Sequence, residues 1–166
     1  ATMTAPTVTG HTFTKWVAGR GTTGTEVASS NGVATTQAQA SIPTSALEYS
    51  AVYTANSYTV TISKGTGVAS VSYSTNLNGT TGKENTFTVY FGETVTLTGT
   101  VSTGYYNIAY SATGVTISSG SYTHNIASDL TITVSATIKT FGVTTSATPT
   151  AGGNAYVGAT GTGASA

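Results

Sequence analysis

Residues Tyr58 to Tyr73 read Y-T-V-T-I-S-K-G-T-G-V-A-S-V-S-Y. Tyr58, Val60 and Ile62 alternate with Thr59, Thr61 and Ser63, the period-two pattern of a strand with one buried face. Lys64-Gly65-Thr66-Gly67 supplies a turn, since glycine reaches positive φ without a Cβ clash. Val71 and Tyr73 then resume the alternation, so the stretch is expected to form a β-hairpin.

The same pattern extends in both directions. Downstream, Asn76 to Lys83 is a loop, with Asn78-Gly79 as its turn signal. Phe87, Val89 and Phe91 alternate up to Gly92-Glu93, and Val95 and Leu97 follow on the next strand. Gly104 to Tyr110 forms another, then Val115 and Ile117, and Gly120-Ser121 turns the chain. Leu130, Ile132, Val134, Ala136 and Ile138 give the cleanest alternation. Weak strands are expected at Phe141 to Thr145 and Ala155 to Val157. Upstream, Leu47, Tyr49, Ala51 and Tyr53 alternate with Glu48, Ser50, Val52 and Thr54. Gln37 to Ile42 reads as a strand stopped by Pro43, and Gly19 to Gly32 as a long loop. A regular strand at Thr9 to Trp16 would put His11, Phe13 and Lys15 on one face and Thr12, Thr14 and Trp16 on the other. Ala1 to Val8 is extended, with Pro6 discouraging helix. The expected fold is all-β: tandem small antiparallel β-sandwich or β-grasp-like units.

Composition narrows the function. Charged residues make up 6% of the 166, against roughly 25% in an average globular protein. Five basic and five acidic side chains cancel, leaving no basic patch for a nucleic-acid backbone. Solubility falls to hydroxyl groups, chiefly threonine. The ten tyrosines recur at strand spacing, which argues against a disordered linker. With no cysteine there is no disulfide and no thiolate metal site. No apolar run approaches the roughly 20 residues of a membrane helix. A threonine-rich, lysine-poor, cysteine-free β chain suits a bacterial cell surface or a virion. A sequence opening at Ala1 reads as a processed or excised piece.

An internal repeat is visible. Thr9-Gly10-His11 through Trp16 matches Thr103-Gly104-Tyr105 through Tyr110. Leu47-x-Tyr49-x-Ala51-x-Tyr53 matches Ile132-x-Val134-x-Ala136-x-Ile138. Tyr58-Thr-Val60 matches Phe141-Gly-Val143. On this reading residues 1–57 are the later part of a first β unit and 58–140 are a complete unit. Residues 141–166 form a Gly/Ala/Thr-rich tail resembling the opening hairpin of a further unit. Two arrangements account for this: a piece of a longer tandem array, or a tail that completes the first unit of a neighbouring copy by strand donation.

These motifs resemble the divergent internalin-type B-repeat modules of bacterial surface proteins. The matching runs are Tyr58 to Ile62, Gly65-Thr-Gly67, Val68-Ala-Ser-Val71, Gly92-Glu-Thr-Val95-Thr-Leu97-Thr98 and Gly10 to Trp16. The second copy departs from the pattern, with Tyr110 at the tryptophan position and Asn107 at the phenylalanine position. The resemblance spans most of residues 9–140 and rests on strand and turn motifs rather than chemistry. It implies tandem modules on secreted or wall-attached proteins, serving as spacers or adhesive stalks. Phage virion proteins are similar to such modules and carry them as decorations.

No catalytic constellation stands out, and no cofactor is expected. His11 and His124 are the only histidines and Asp129 the only aspartate. A Ser-His-Asp triad can be drawn only on paper, since no G-x-S-x-G elbow exists. Glu84 and Glu93 are a nominal glycosidase pair, better read as turn residues. One aspartate is too few for a calcium cage, and the Gly-rich runs lack the P-loop ending. Asn78-Gly79-Thr80 fits a glycosylation acceptor. Trp16, Tyr49, Tyr53, Tyr105, Tyr106 and Tyr110 form a candidate aromatic surface for stacking on a surface glycan, the alternative being half-buried strand positions. The expected role is a non-catalytic spacer, stalk or self-assembling subunit at the cell surface. A virion decoration or fibre domain and a glycan-binding adhesin are the alternatives. The expected partners are other copies or neighbouring repeats, with no nucleic acid and no membrane.

Overall fold

The computed structural model of the chain describes residues 2–35 and 47–144. The described residues contain strands and no helix, in four small sheets. Residues 2–55 form two three-stranded sheets. One comprises β1 (Thr2–Thr4), β4 (Ser29–Ser30) and β5 (Val33–Thr35), in the order β1-β5-β4. The other comprises β2 (His11–Ala18), β3 (Glu26–Val27) and β6 (Tyr49–Ala55), in the order β3-β2-β6.

Two four-stranded sheets follow. The first holds β7 (Ser57–Lys64), β10 (Thr86–Tyr90), β12 (Tyr105–Ser111) and β14 (Leu130–Ile138), in the order β10-β7-β14-β12. The second holds β8 (Val68–Thr75), β9 (Thr81–Gly82), β11 (Thr94–Val101) and β13 (Ser121–Thr123), in the order β13-β11-β8-β9. The named strands pair antiparallel except β7 and β14, which run parallel with Leu130 beside Val60 and Val134 beside Lys64.

Between these two sheets lies the core. Val60, Ile62, Val71, Tyr73, Phe87, Val89, Val95, Leu97, Tyr122, Leu130, Ile132 and Val134 form one buried cluster. Every other residue of β10 and of the first half of β14 is buried, as an alternating strand with one apolar face requires. Tyr73 stacks on Phe87, ring centroids 3.9 Å apart. By contrast, residues 2–55 bury only Trp16, Val17 and Ala34 among their described apolar side chains.

The expected hairpin at Tyr58–Tyr73 is an arch instead. β7 pairs with β10 and β14, while β8 pairs with β9 and β11. The turn closes with the Val68 N–H donating to the Gly65 carbonyl at 3.3 Å, and Gly67 sits at φ 82°. It carries the chain from one sheet to the other, so Val60 and Val71 join the core from opposite sheets. A hairpin would have put both strands in one sheet.

The described residues of 2–55 repeat the path of β11 to β14. The Val8–His11 and Ser102–Tyr105 turns both close at 3.1 Å, with Gly10 at φ 71° and Gly104 at φ 85°. The Asn56 N–H donates to Gly10 and the Lys139 N–H to Gly104, each at 2.8 Å. β1 pairs with β5 as β11 pairs with β13, Met3 beside Ala34 and Val95 beside Tyr122. Asn31-Gly32 and Ser119-Gly120 both have positive φ at the two turn positions, the signature of a type I′ hairpin. The Ala5 N–H reaches Gly32 and the Leu97 N–H reaches Gly120.

Several expectations need correction. The second matched segment is shifted by two residues: Asn56 corresponds to Lys139, so Leu47 matches Leu130 and Tyr53 matches Ala136. A bulge between Phe13 and Lys15 turns Phe13 and Trp16 to the same face, where a regular strand would have opposed them. β12 has a matching irregularity at Asn107, φ 53°. The Gly19–Gly32 loop contains β3 and β4, and the Asn76–Lys83 loop contains β9. Val115 and Ile117 pack on the core from outside any strand. Phe141 to Thr144 is not a strand, and Phe141 is 82% exposed. The strands expected at Gln37 to Ile42 and Ala155 to Val157, with the Pro43 stop and Thr145, lie outside the described residues.

The Gly10 turn meets the second half of the chain. A Cβ on Gly10 would come within 2.1 Å of the Phe91 ring, whereas one on Gly104 would meet none of the described residues within 4 Å. Both positions carry the left-handed strain of a non-glycine residue, about 1–2 kcal/mol. Gly10→Ala is therefore expected to destabilise the fold measurably more than Gly104→Ala in urea unfolding. Equal losses would mean that Phe91 does not press on this turn.

Candidate functional site

The first half presents one face of rings. The β2–β6 ladder sets Phe13 beside Tyr53, Trp16 beside Ala51 and Ala18 beside Tyr49. Strand parity and the bulge then place Phe13, Trp16, Tyr49 and Tyr53 on one side. Phe13 lies 5.8 Å from Tyr53, edge to face, and 6.0 Å from Trp16. The Trp16 indole N–H donates to the Gly32 carbonyl at 2.9 Å, and the Tyr53 hydroxyl donates to the Pro6 carbonyl. A groove of about 340 Å³ opens here, lined in part by Ala5, Pro6, His11, Phe13, Gly32 and Tyr53.

The matching face of the second half is core. Ile132 and Val134, which correspond to Tyr49 and Ala51, are fully buried. Tyr110, which corresponds to Trp16, accepts a hydrogen bond from the Gly99 N–H at 2.7 Å. A Cβ on Gly120 would lie 3.4 Å from its ring. Trp16 and Tyr110 therefore brace matching type I′ turns. Of the six aromatic residues singled out from the sequence, Trp16 is buried, and Tyr49, Tyr53, Tyr105 and Tyr110 are half-buried. Tyr106 is 46% exposed. Trp16, Tyr49 and Tyr53 share a sheet in the first half, whereas Tyr105, Tyr106 and Tyr110 lie on β12 in the second.

Among the described residues, strand edges lie open beside this face. In the sheet order β6 and β1 are terminal strands. Among the named strands β6 pairs only with β2 and β1 only with β5. Their counterparts β14 and β11 are flanked on that same side by β7 and β8. An edge strand presents unpaired N–H and C=O groups to an incoming chain.

Backbone groups and aromatic rings surround the acids and histidines of the second half and His11. Glu93 is fully buried. One carboxylate oxygen accepts the Leu77 and Asn78 N–H groups at 3.1 and 2.9 Å, and the other accepts the Tyr90 N–H at 2.9 Å. Burial works to raise its pKa, but the Asn78, Tyr90, Thr75 and Leu77 hydrogen bonds prevail and hold it below the usual carboxylate value. Glu84 instead accepts from the Tyr73 hydroxyl and the Lys83 N–H, each at 3.0 Å. Asp129 accepts the Thr59 N–H at 2.7 Å. His11 packs edge-on to Phe91 at 5.4 Å. His124 is fully buried, with Nε2 3.1 Å from the Ser128 carbonyl rather than a serine hydroxyl. Its Nδ1 and the Tyr122 hydroxyl lack partners among the described residues. No cluster of three or more potential metal ligands occurs among the described residues.

Sequence reading missed the Glu93 site and the type I′ turn at Asn31-Gly32. Asn-Gly is a strong hairpin signal that marks the second. Nothing in the spacing marks the first. No family model, no curated protein and no solved structure matches the chain.

Two predictions follow from the buried groups. Glu93→Ala strands three N–H donors at a cost of about 1–3 kcal/mol for each one left buried, a loss that chemical denaturation would register. His124 has its pKa lowered by burial, with the Ser128 carbonyl and Asp129 opposing. The unfolded chain therefore takes up this proton first, and stability falls as pH drops below about 6.5. Thermal melts between pH 7.5 and 5.5 should show that fall, and His124→Phe should flatten it. An unchanged slope in the variant would assign the pH dependence to other groups.

Proposed function

We propose that this protein is a non-catalytic structural module of a bacterial extracellular surface protein or fibre, acting as a spacer, stalk or self-assembling subunit. One observation carries this reading: the described residues of 2–55 repeat the path of β11–β14, and among the described residues β6 and β1 have no neighbour where the second half has β7 and β8. Such a half-sandwich leaves aromatic side chains and ladder groups for another β segment to cover. A head-to-tail contact of that kind does not close on itself and extends into a fibre. The low charge and the absence of cysteine suit a surface exposed to proteases and oxidants. A virion fibre or decoration domain would use the same physics in a different setting.

A glycan-binding adhesin is the second reading, favoured by the groove beside His11, Phe13 and Tyr53. Against it, the same face of the repeat is core in the second half, so burial by protein accounts for the rings. Multi-angle light scattering over a concentration series, with electron microscopy of the same samples, separates these readings. Oligomers or filaments that grow with concentration are expected. A monomer at every concentration, together with binding on a glycan array, would favour the adhesin.

A further inference from the structure

We propose that residues 141–166 of one copy seat on residues 2–55 of a second copy as an arch, adding one strand to β6 and one to β1. This rests on the self-association reading and specifies its segment, edge and register. The correspondence of Asn56 with Lys139 sets an offset of 83 positions. At that offset residues 141–166 fall on 58–83, the span of β7, β8 and β9 except Ser57. Phe141 falls on Tyr58, Val143 on Val60, Thr144 on Thr61, Ser146 on Ser63 and Tyr156 on Tyr73. Pro149 falls on Thr66, the first central residue of the Gly65–Val68 turn. Proline is favoured there because its φ is already set. The departures are Thr150 in place of Gly67, and Thr145 and Asn154 in place of the core residues Ile62 and Val71.

The arch explains why one segment serves two edges. β7 lies beside β14 in one sheet and β8 beside β11 in the other. An arch built the same way places its first strand parallel to β6 and its second antiparallel to β1. Carrying over the β7–β14 register sets Val143 beside Leu47, Thr145 beside Tyr49 and Ala147 beside Ala51. The segment holds no Asp, Glu, Lys or Arg, so its burial desolvates no charge.

Geometry favours a second copy over the same chain. Ser57 follows directly on the Asn56–Gly10 joint, where the Phe91 N–H also donates to the Asn56 carbonyl at 2.9 Å. β14 runs parallel to β7 and continues past Val134, the partner of Lys64, to Ile138. The chain therefore leaves the second half at the pole opposite the first. Among the described residues no ring stands against Gly104 there as Phe91 does against Gly10. Ile138, Phe141 and Val143 are 59%, 82% and 73% exposed.

Cysteine pairs test the register in a chain that has no cysteine of its own. Strands in a sheet lie about 4.8 Å apart, within the roughly 4.4–6.8 Å Cα separation a disulfide needs. Full-length L47C and V143C proteins, mixed and oxidised, should form a mixed disulfide, and the L47C/V143C double variant a disulfide-linked ladder. An L77C/V143C double variant, with Leu77 in the loop before β9, should form none. A cross-link within single chains of the L47C/V143C protein would overturn the second-copy occupant. Filaments in the microscope without an L47C–V143C cross-link would overturn this register while leaving self-association standing. Monomers without any cross-link would overturn both.

Discussion

The parallel contact between β7 and β14 sets the form of the second half. It joins the first strand of that half to its last, burying Val60 and Ile62 beside Leu130 and Ile132. Two consequences follow from strand direction alone. The chain enters and leaves at opposite poles. The strand that opens a unit also completes the sheet begun by that unit's final strand. Antiparallel pairing at this position would bring entry and exit to the same pole.

Around that contact the buried polar groups tie connections together. Glu93 gathers the N–H groups of Leu77, Asn78 and Tyr90, tying the β8–β9 loop to the β10–β11 turn. Asp129 holds the Thr59 N–H from the start of β14. The ion pairs Arg20–Glu48 and Lys15–Glu26 lie on partly or largely exposed side chains of the first half, where such pairs add little. Stability in the second half therefore comes from apolar burial and ladder hydrogen bonds. The first half has a smaller covered core and a wider face of rings.

Much of this was legible in residue alternation. The runs at Phe87–Val89, Val95–Leu97 and Leu130–Val134 identify the buried face because a strand's side chains alternate. Alternation does not identify a strand's neighbour, so an arch and a hairpin look alike at Tyr58–Tyr73. Nor does it resolve a slip of two residues, which leaves every side chain on its own face. The Leu47–Tyr53 match was therefore misplaced by two residues while the side of the strand given to each residue was not. The bulge at Thr14 carries no glycine or asparagine to mark it, although Asn107 in the second copy is a residue that tolerates positive φ. Of the face described in the first half, Trp16, Tyr49 and Tyr53 were singled out from the sequence and Phe13 was not. That Tyr105, Tyr106 and Tyr110 belong to the other half depends on pairing partners, which local sequence does not encode.

Amide hydrogen exchange across β6, measured over a range of protein concentrations, tests the central claim most directly. β6 amides directed away from β2 should exchange quickly in dilute protein and become protected as concentration rises, in step with those of β1. Protection that is already complete in the dilute monomer, or exchange that stays fast at every concentration, would contradict the account.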